Sequence, residues 1–140
     1  MRKQLLGMFG AALLVGFGLH AQGQQRLIAD VPFDFTAGSS LFQAGQYNIE
    51  WGPIPAVVAL RSADGRAAAM ILANAVEARK LPGTAKLVFH RYGNDYFLAE
   101  VWKLGDSVGR RIPPGARERE MAQTLTPPTE RTVLARVAGR

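Results

Sequence analysis

The chain has 140 residues, a formal net charge of +6 and no cysteine. The absence of cysteine excludes disulfide bonds, the acylated cysteine of a bacterial lipoprotein and every zinc site that uses cysteine ligands. A chain of this length suits one domain, which would bury roughly two-thirds of its unfolded surface.

The N-terminal segment has the pattern of a secretory signal peptide. Arg2 and Lys3 precede an apolar run at residues 5–19, and Ala21 stands at the expected cleavage point. A run of about fifteen residues is shorter than the roughly twenty that a transmembrane helix needs. We therefore expect removal of residues 1–21 and export of the remaining 119 residues (140 − 21) to the periplasm or beyond the cell.

The positive charge is concentrated near the C-terminus. Residues 22–102 carry seven basic and seven acidic side chains, whereas residues 103–140 carry eight basic and four acidic ones, a net charge of +4 (8 − 4). Such a segment could meet anionic lipid or acidic polysaccharide, and we do not expect nucleic acid as a partner. Since acidic residues are interspersed, we favour a solvated surface that keeps the protein soluble.

Alternation of apolar and polar residues predicts β-strands in the first half of the chain. Residues 27–35 are apolar at every odd position. Pro32 has no amide proton, so we expect this strand to lie at a sheet edge or to contain a break. Residues 47–51 alternate in the same way and predict a second strand.

A hairpin is predicted around the Asp-Gly pair at 64–65, with Leu60 opposite Ala69. The returning arm, residues 66–79, is rich in alanine, which favours a helix. The turn and the Met-Ile-Leu segment favour a strand instead, with a bend near Asn74. We predict the strand.

The central element is a predicted hairpin at residues 86–102, in which two aromatic and β-branched runs flank a turn. A two-residue Gly-Asn loop would bring Glu100 into the apolar face. We therefore expect a three-residue loop, residues 93–95. In that register the apolar face contains Leu87, Phe89, Arg91, Phe97, Ala99 and Val101. The opposite face pairs Lys86 with Trp102, Val88 with Glu100, His90 with Leu98 and Tyr92 with Tyr96.

The C-terminal part of the chain contains weaker signals. Residues 108–112 predict a short strand, residues 116–123 a short exposed helix, and residues 129–140 either a strand or a loosely held tail. We expect an all-β fold, an antiparallel β-sandwich or open barrel of six to eight strands with a short C-terminal helix and tail. The β-domain would span residues 22–112, and the basic helix and tail residues 113–140.

Few residues suit catalysis. His90 is the one histidine after residue 21, so a site with several histidine ligands is excluded, and no serine lies in a G-x-S-x-G motif. A carboxylate-dependent hydrolase would have to use Asp30, Asp34 or Glu100. The solvent face of a strand explains the two aspartates without further assumption, and we favour that interpretation. We predict no catalytic residue, no metal and no cofactor.

The predicted binding surface combines the amphipathic hairpin face with the basic residues that follow it. Its aromatic side chains could stack on sugars, and its arginines could bind anions, although burial of the aromatic residues is the commoner outcome. The candidate partner-binding residues are Lys86, His90, Tyr92, Tyr96, Glu100, Trp102, Arg110, Arg111, Arg117 and Arg119.

Four segments resemble a family of small exported bacterial proteins of uncharacterised function. They are V-P-F-D-F-T-A-G at 31–38, A-G-Q-Y-N-I at 44–49, R-S-A-D-G-R-A-A-A-M at 61–70 and K-L-V-F-H-R-Y-G-N-D-Y-F-L-A-E-V-W at 86–102. The likeness covers most of the chain from Val31 to Glu120. It implies a signal peptide and a compact β-domain, and it implies no activity, cofactor or binding residue.

Three functional hypotheses follow. We favour a non-catalytic exported β-domain that acts by contact, with another envelope protein or with itself. In one version residues 129–137 add as a strand to the open edge of a neighbour. The alternatives are a binder of anionic or sugar polymers and, least favoured, a hydrolase.

Overall fold

The computed structural model describes residues 26–52, 54, 56–124 and 127–138, so the predicted signal peptide lies outside the described residues. The described part is mostly β-structure with one short helix. Its elements are β1 (Leu27–Val31), β2 (Phe35–Ala37), β3 (Ser40–Phe42), β4 (Gly45–Trp51), β5 (Val57–Ser62), β6 (Ala68–Leu72), β7 (Asn74–Glu77), β8 (Ala85–Tyr92), β9 (Asp95–Trp102), β10 (Val108–Arg111), α1 (Ala116–Thr124) and β11 (Thr129–Val137).

The strands form one sheet in the order β3-β2-β9-β8-β11-β1-β4-β5-β6, and β10 pairs with both β9 and β7. The pairing of β2 with β9 is parallel, and the other pairings are antiparallel. Only Ala73 separates β6, the last strand of this order, from β7. Since β7 pairs with β10 and β10 pairs with β9, the end of the sheet lies close to the strands at its beginning. The sheet is therefore nearly closed and barrel-like. The expected predominance of β-structure and the short C-terminal helix are confirmed, but the described part of the chain contains eleven strands and not the expected six to eight.

The core lies inside this curved sheet and follows from the alternation in the sequence. Leu27, Ala29 and Val31 of β1 are buried, whereas Asp30 between them is exposed. Burying a side chain as large as leucine contributes about 1.5–3 kcal/mol relative to leaving it in water. The break predicted at Pro32 is present, because β1 ends at Val31, but β1 is not an edge strand: β4 and β11 flank it.

The hairpin of β5 and β6 has the predicted register. Leu60 pairs with Ala69, and the returning arm is a strand that is interrupted at Ala73, next to the predicted bend at Asn74. Alanine-rich composition does not produce a helix here. Residues on alternate positions, such as Ile71, are buried in the core, and that burial outweighs the modest helix preference of alanine.

The register predicted for β8 and β9 is correct in the half that is far from the turn and wrong in the other half. Lys86 pairs with Trp102 as expected, but a bulge after Val88 shifts the remaining pairs by one residue. The turn contains two residues, of which Gly93 has a φ of 61°. Glycine at the first position of a two-residue turn is the preferred arrangement of type II′ hairpins. The bulge absorbs the offset and keeps Glu100 on the outer face.

The bulge changes which aromatic residues face outward. Leu98 belongs to the core, and the Phe97 ring lies 5.7 Å from that of Tyr92 on the outer face. The Tyr96 ring stacks on Phe33 at 3.8 Å. The expected pairs His90–Leu98 and Tyr92–Tyr96 are therefore wrong. Phe97 is buried, but on the outer face and not on the predicted apolar face with Leu87 and Phe89.

The segment after α1 is a full member of the sheet. β11 lies between β8 and β1 and pairs with both, so of the two alternatives predicted for residues 129–140 the strand is confirmed and the loosely held tail is wrong. Every residue of β11 already pairs within its own chain, Thr129–Ala135 with β8 and Ala135–Val137 with β1. This strand would therefore have to leave its own sheet to add to the edge of a neighbour. The predicted boundary at residue 112 consequently cuts through a sheet that continues to Val137.

Candidate functional site

Helix α1 is held on the outer face of the hairpin by one carboxylate. Glu118 is 5 % exposed and is the one buried side chain of the helix. Its Oε2 accepts a hydrogen bond from the Tyr92 hydroxyl at 3.2 Å and lies 3.1 Å from His90 Nδ1. An amphipathic helix usually docks through an apolar stripe. This helix docks through a buried acid whose two partners both lie on β8.

Glu118 alters the pKa values of its two partners, His90 and Tyr92. The hydrogen bond to Glu118 raises the pKa of His90, and burial of the imidazole opposes that rise. Glu130 and Glu100 add smaller attractions that also raise this pKa. Burial and the negative charge of Glu118 raise the pKa of Tyr92, so its hydroxyl remains a hydrogen-bond donor.

A second polar group lies farther along the outer face of β9. Trp102 Nε1 donates a hydrogen bond to Glu100 Oε1 at 2.8 Å, and Arg111 Nη2 lies 3.1 Å from Glu100 Oε2. The indole packs on β10, where a Cβ at Gly109 would come within 2.5 Å of the ring. Trp102 and Glu100 therefore fasten β10 to β9.

The predicted basic residues do not form one patch. Arg111 is paired with Glu100, Arg117 lies 3.7 Å from Asp95, and Arg119 donates to a backbone carbonyl oxygen. Arg110 pairs with Val101, a core residue, and so lies on the inner side of the sheet. Within the described residues its Nε is buried without a hydrogen-bond partner.

The predicted aromatic surface is largely covered. Tyr92 and Trp102 are buried, and Tyr96 is half-buried against Phe33. Sugar stacking needs an exposed ring face, so this part of the polymer-binding hypothesis is contradicted by the packing. Of the ten predicted residues, His90 and Tyr92 come together because both contact Glu118. Glu100 contacts Trp102 and Arg111. Lys86 is half-buried and pairs with Trp102 across the hairpin.

The two aspartates considered for a hydrolase take part in local structure. Asp34 accepts a hydrogen bond from the Ala44 amide at 2.8 Å. Asp30 accepts one from Gln46 and lies 3.6 Å from Arg136. β1 ends at Val31, so Asp30 lies in β1 whereas Asp34 lies in the segment between β1 and β2. The two aspartates therefore do not share the face of one strand, contrary to the sequence prediction.

Sequence reasoning missed the open edge of β6. Hydrogen bonds from Ser62 to Ala67 and from Ala73 to Ala56 fix the phase of this strand against β5. In an antiparallel ladder the residues between such pairs point their backbone groups away from the partner strand. Ala68, Met70 and Leu72 therefore direct their N–H and C=O groups away from β5, at the edge of the sheet. These groups have no backbone partner there among the described residues.

The side chains on this edge are apolar and accessible. Met70 is 63 % exposed and Leu72 is 71 % exposed. A groove of about 360 Å³ runs beside the strand and is bounded on its far side by Gly38–Ser40 and Pro113. The β10 ladder stops at Arg111, because Pro113 and Pro114 cannot donate backbone hydrogen bonds and turn the chain toward α1. β6 is consequently left uncovered.

A groove of about 680 Å³ lies between the start of α1, the β8–β9 turn and β2. Its charged residues are already engaged: Asp95 with Arg117, and Asp34 with Ala44. Among the described residues no group of three potential metal ligands occurs, and no helix is long and apolar enough to cross a membrane. Comparison with protein-family models, with curated proteins and with solved structures gave no match.

Proposed function

We propose that this protein is a non-catalytic, exported β-domain that acts by contact, by accepting an extended strand of a partner polypeptide along the open edge of β6. The observation that carries this proposal is the row of outward-directed backbone groups at Ala68, Met70 and Leu72. An unpaired edge offers ready donors and acceptors to an added strand.

Two features of the edge support strand addition. Natural edge strands are usually protected by charge, proline or a covering element, whereas β6 reads Ala-Ala-Met-Ile-Leu. The exposed side chains of Met70 and Leu72 would bury apolar area against the side chains of an added strand. Export rests on the signal-peptide pattern at residues 1–21 and on the resemblance to exported proteins.

A peptide test addresses the edge directly. The probe is a synthetic nine-residue peptide that copies residues 66–74, titrated into the ¹⁵N-labelled protein. We expect amide shift changes at Ala68, Met70 and Leu72 that exceed those at Ala69 and Ile71, because only the former point outward.

The matched control is the same peptide with N-methylated amides at alternate positions, which cannot complete the ladder. Equal binding of both peptides, or no shift at β6 with either, would reject strand addition. Shifts confined to the surface of α1 would move the docking site to the helix.

A further inference from the structure

We infer that the strand that occupies this edge is β6 of a second copy of the chain, paired antiparallel about Met70. This inference rests on the proposed function and adds the identity of the partner. It requires the edge to be complementary to itself in hydrogen bonding, in charge and in apolar contacts.

The hydrogen-bonding pattern is self-complementary. An antiparallel two-fold arrangement centred on Met70 places Met70 opposite the partner's Met70 and Ala68 opposite the partner's Leu72. All of these residues direct both backbone groups outward. Each such pair exchanges two hydrogen bonds, so three pairs give about six across the two-fold axis. With a register shifted by one residue, backbone groups that point away from β5 in one copy would lie opposite residues whose backbone groups point toward β5 in the other copy.

Charge does not oppose this pairing. β6 contains no charged residue. The nearest cation on the outer face of the neighbouring strand is Arg61, which pairs with Ala68. In the two-fold arrangement the two copies of Arg61 lie at opposite ends of the joined sheet. No like charges are brought together at the axis, where repulsion would be costly.

Apolar contacts extend across the axis. On β5, Ala59 pairs with Met70 and Val57 pairs with Leu72. Joining two copies therefore produces a continuous apolar strip on the outer face, in which the exposed Met70 side chains pack against each other. An interface built from one short strand is small, so the dimer is a reversible one whose population rises with protein concentration.

The test is sedimentation velocity of the whole chain as purified from the producing cell, over low to high micromolar concentration and at low and high salt. We expect a monomer–dimer equilibrium that persists in high salt, since backbone pairing and apolar contacts are weakly screened. Met70→Pro removes an outward N–H without removing a native hydrogen bond, and we expect this variant to remain monomeric. Met70→Val keeps the N–H and should dimerise as the wild type does.

A second variant protects the test against misfolding. Met70→Lys adds an exposed charge that the monomer tolerates but that faces its own copy across the axis, so we expect loss of the dimer. Leu104→Lys, at an exposed apolar site outside β6, is the control and should dimerise normally. A wild-type chain that is monomeric throughout, or a dimer that survives both Met70→Pro and Met70→Lys, overturns the inference. Peptide binding at β6 by a monomeric chain would leave the proposed function intact and reject the second copy as its partner.

Discussion

Glu118 shows how one residue can fix an element. Helix α1 has nine residues, a length that is marginal for a helix in water, and its other side chains are exposed or half-buried. The contacts of Glu118 with His90 and Tyr92 therefore carry much of the docking. A buried acid is tolerated only with such partners, because an unpaired carboxylate would be strongly destabilising away from water.

The docking of α1 should depend on pH through His90. Its pKa is raised in the folded chain, chiefly by Glu118, so the folded state binds the proton more tightly than the unfolded state. The resulting stabilisation is fully present below the unfolded pKa of about 6.5 and is lost as the pH rises through the higher folded pKa. Glu118→Gln removes the carboxylate that attracts protonated His90. We therefore expect the wild type to have a higher free energy of unfolding than Glu118→Gln, with the largest difference at mildly acidic pH and the smallest at alkaline pH.

The measurement is chemical denaturation of both proteins across this range of pH. Glu120→Gln is the matched control, since Glu120 is exposed on the same helix. Its profile should run parallel to that of the wild type, because only Glu118 contacts the imidazole. A difference between wild type and Glu118→Gln that grows with rising pH would show that the His90–Glu118 contact does not govern the docking.

The partner of His90 could not be found from the sequence. His90 was identified as a candidate on the outer face, and the structure places it there. Glu118 was read as part of an exposed helix because arginine and glutamate alternate around it. Local pattern gives no sign of which glutamate turns inward, since that depends on where Pro113 and Pro114 direct the chain.

At the scale of elements, β11 shows how little a weak apolar pattern determines. Its few apolar residues are compatible with a strand or with a loosely held tail, and the structure has it as a strand between β8 and β1. The reason is that Val133 and Ala135 are its inward apolar positions, whereas most of its outward side chains are polar or charged and remain in water. Alternation over so few apolar residues is too weak to distinguish a central strand from a solvated segment.

Adjacent substitutions in β11 test its place in the sheet. Val133 is 9 % exposed and faces the core, whereas Leu134 is 65 % exposed. We expect Val133→Ala to lower the free energy of unfolding by about 1–3 kcal/mol, through lost burial and a cavity. Leu134→Ala should change it by less than about 0.5 kcal/mol. Denaturation curves that give equal effects for the two variants would contradict the insertion of β11.

The hairpin of β8 and β9 shows a different limit of sequence reasoning. The three-residue loop predicted at residues 93–95 is wrong, whereas the reason for predicting it, that Glu100 should not enter the apolar face, is sound. The structure combines a two-residue turn with an outward Glu100 through a bulge after Val88, which alternation alone does not reveal. Three of the seven pairs, including Lys86 with Trp102, were predictable because they lie on the far side of the bulge from the turn.

At the scale of the whole molecule, the nearly closed sheet leaves the edge of β6 open in the part of the chain that the structure describes. The chain leaves the β10 ladder at Pro113, and the adjoining β6 keeps a row of outward backbone groups. The mainly β character of the fold was predictable from alternation and turn residues. The location of the opening was not, because it depends on which strands meet after the sheet curls.

Amide hydrogen exchange at β6, measured residue by residue at low and high protein concentration, tests the central claim most directly. At low concentration we expect Ala68, Met70 and Leu72 to exchange rapidly and Ala69 and Ile71 to be protected by β5. At high concentration all five amides should be protected as the second copy pairs with the edge. Protection of the three outward amides at every concentration would mean that the edge is already closed. Rapid exchange of those amides at every concentration would mean that no strand is added.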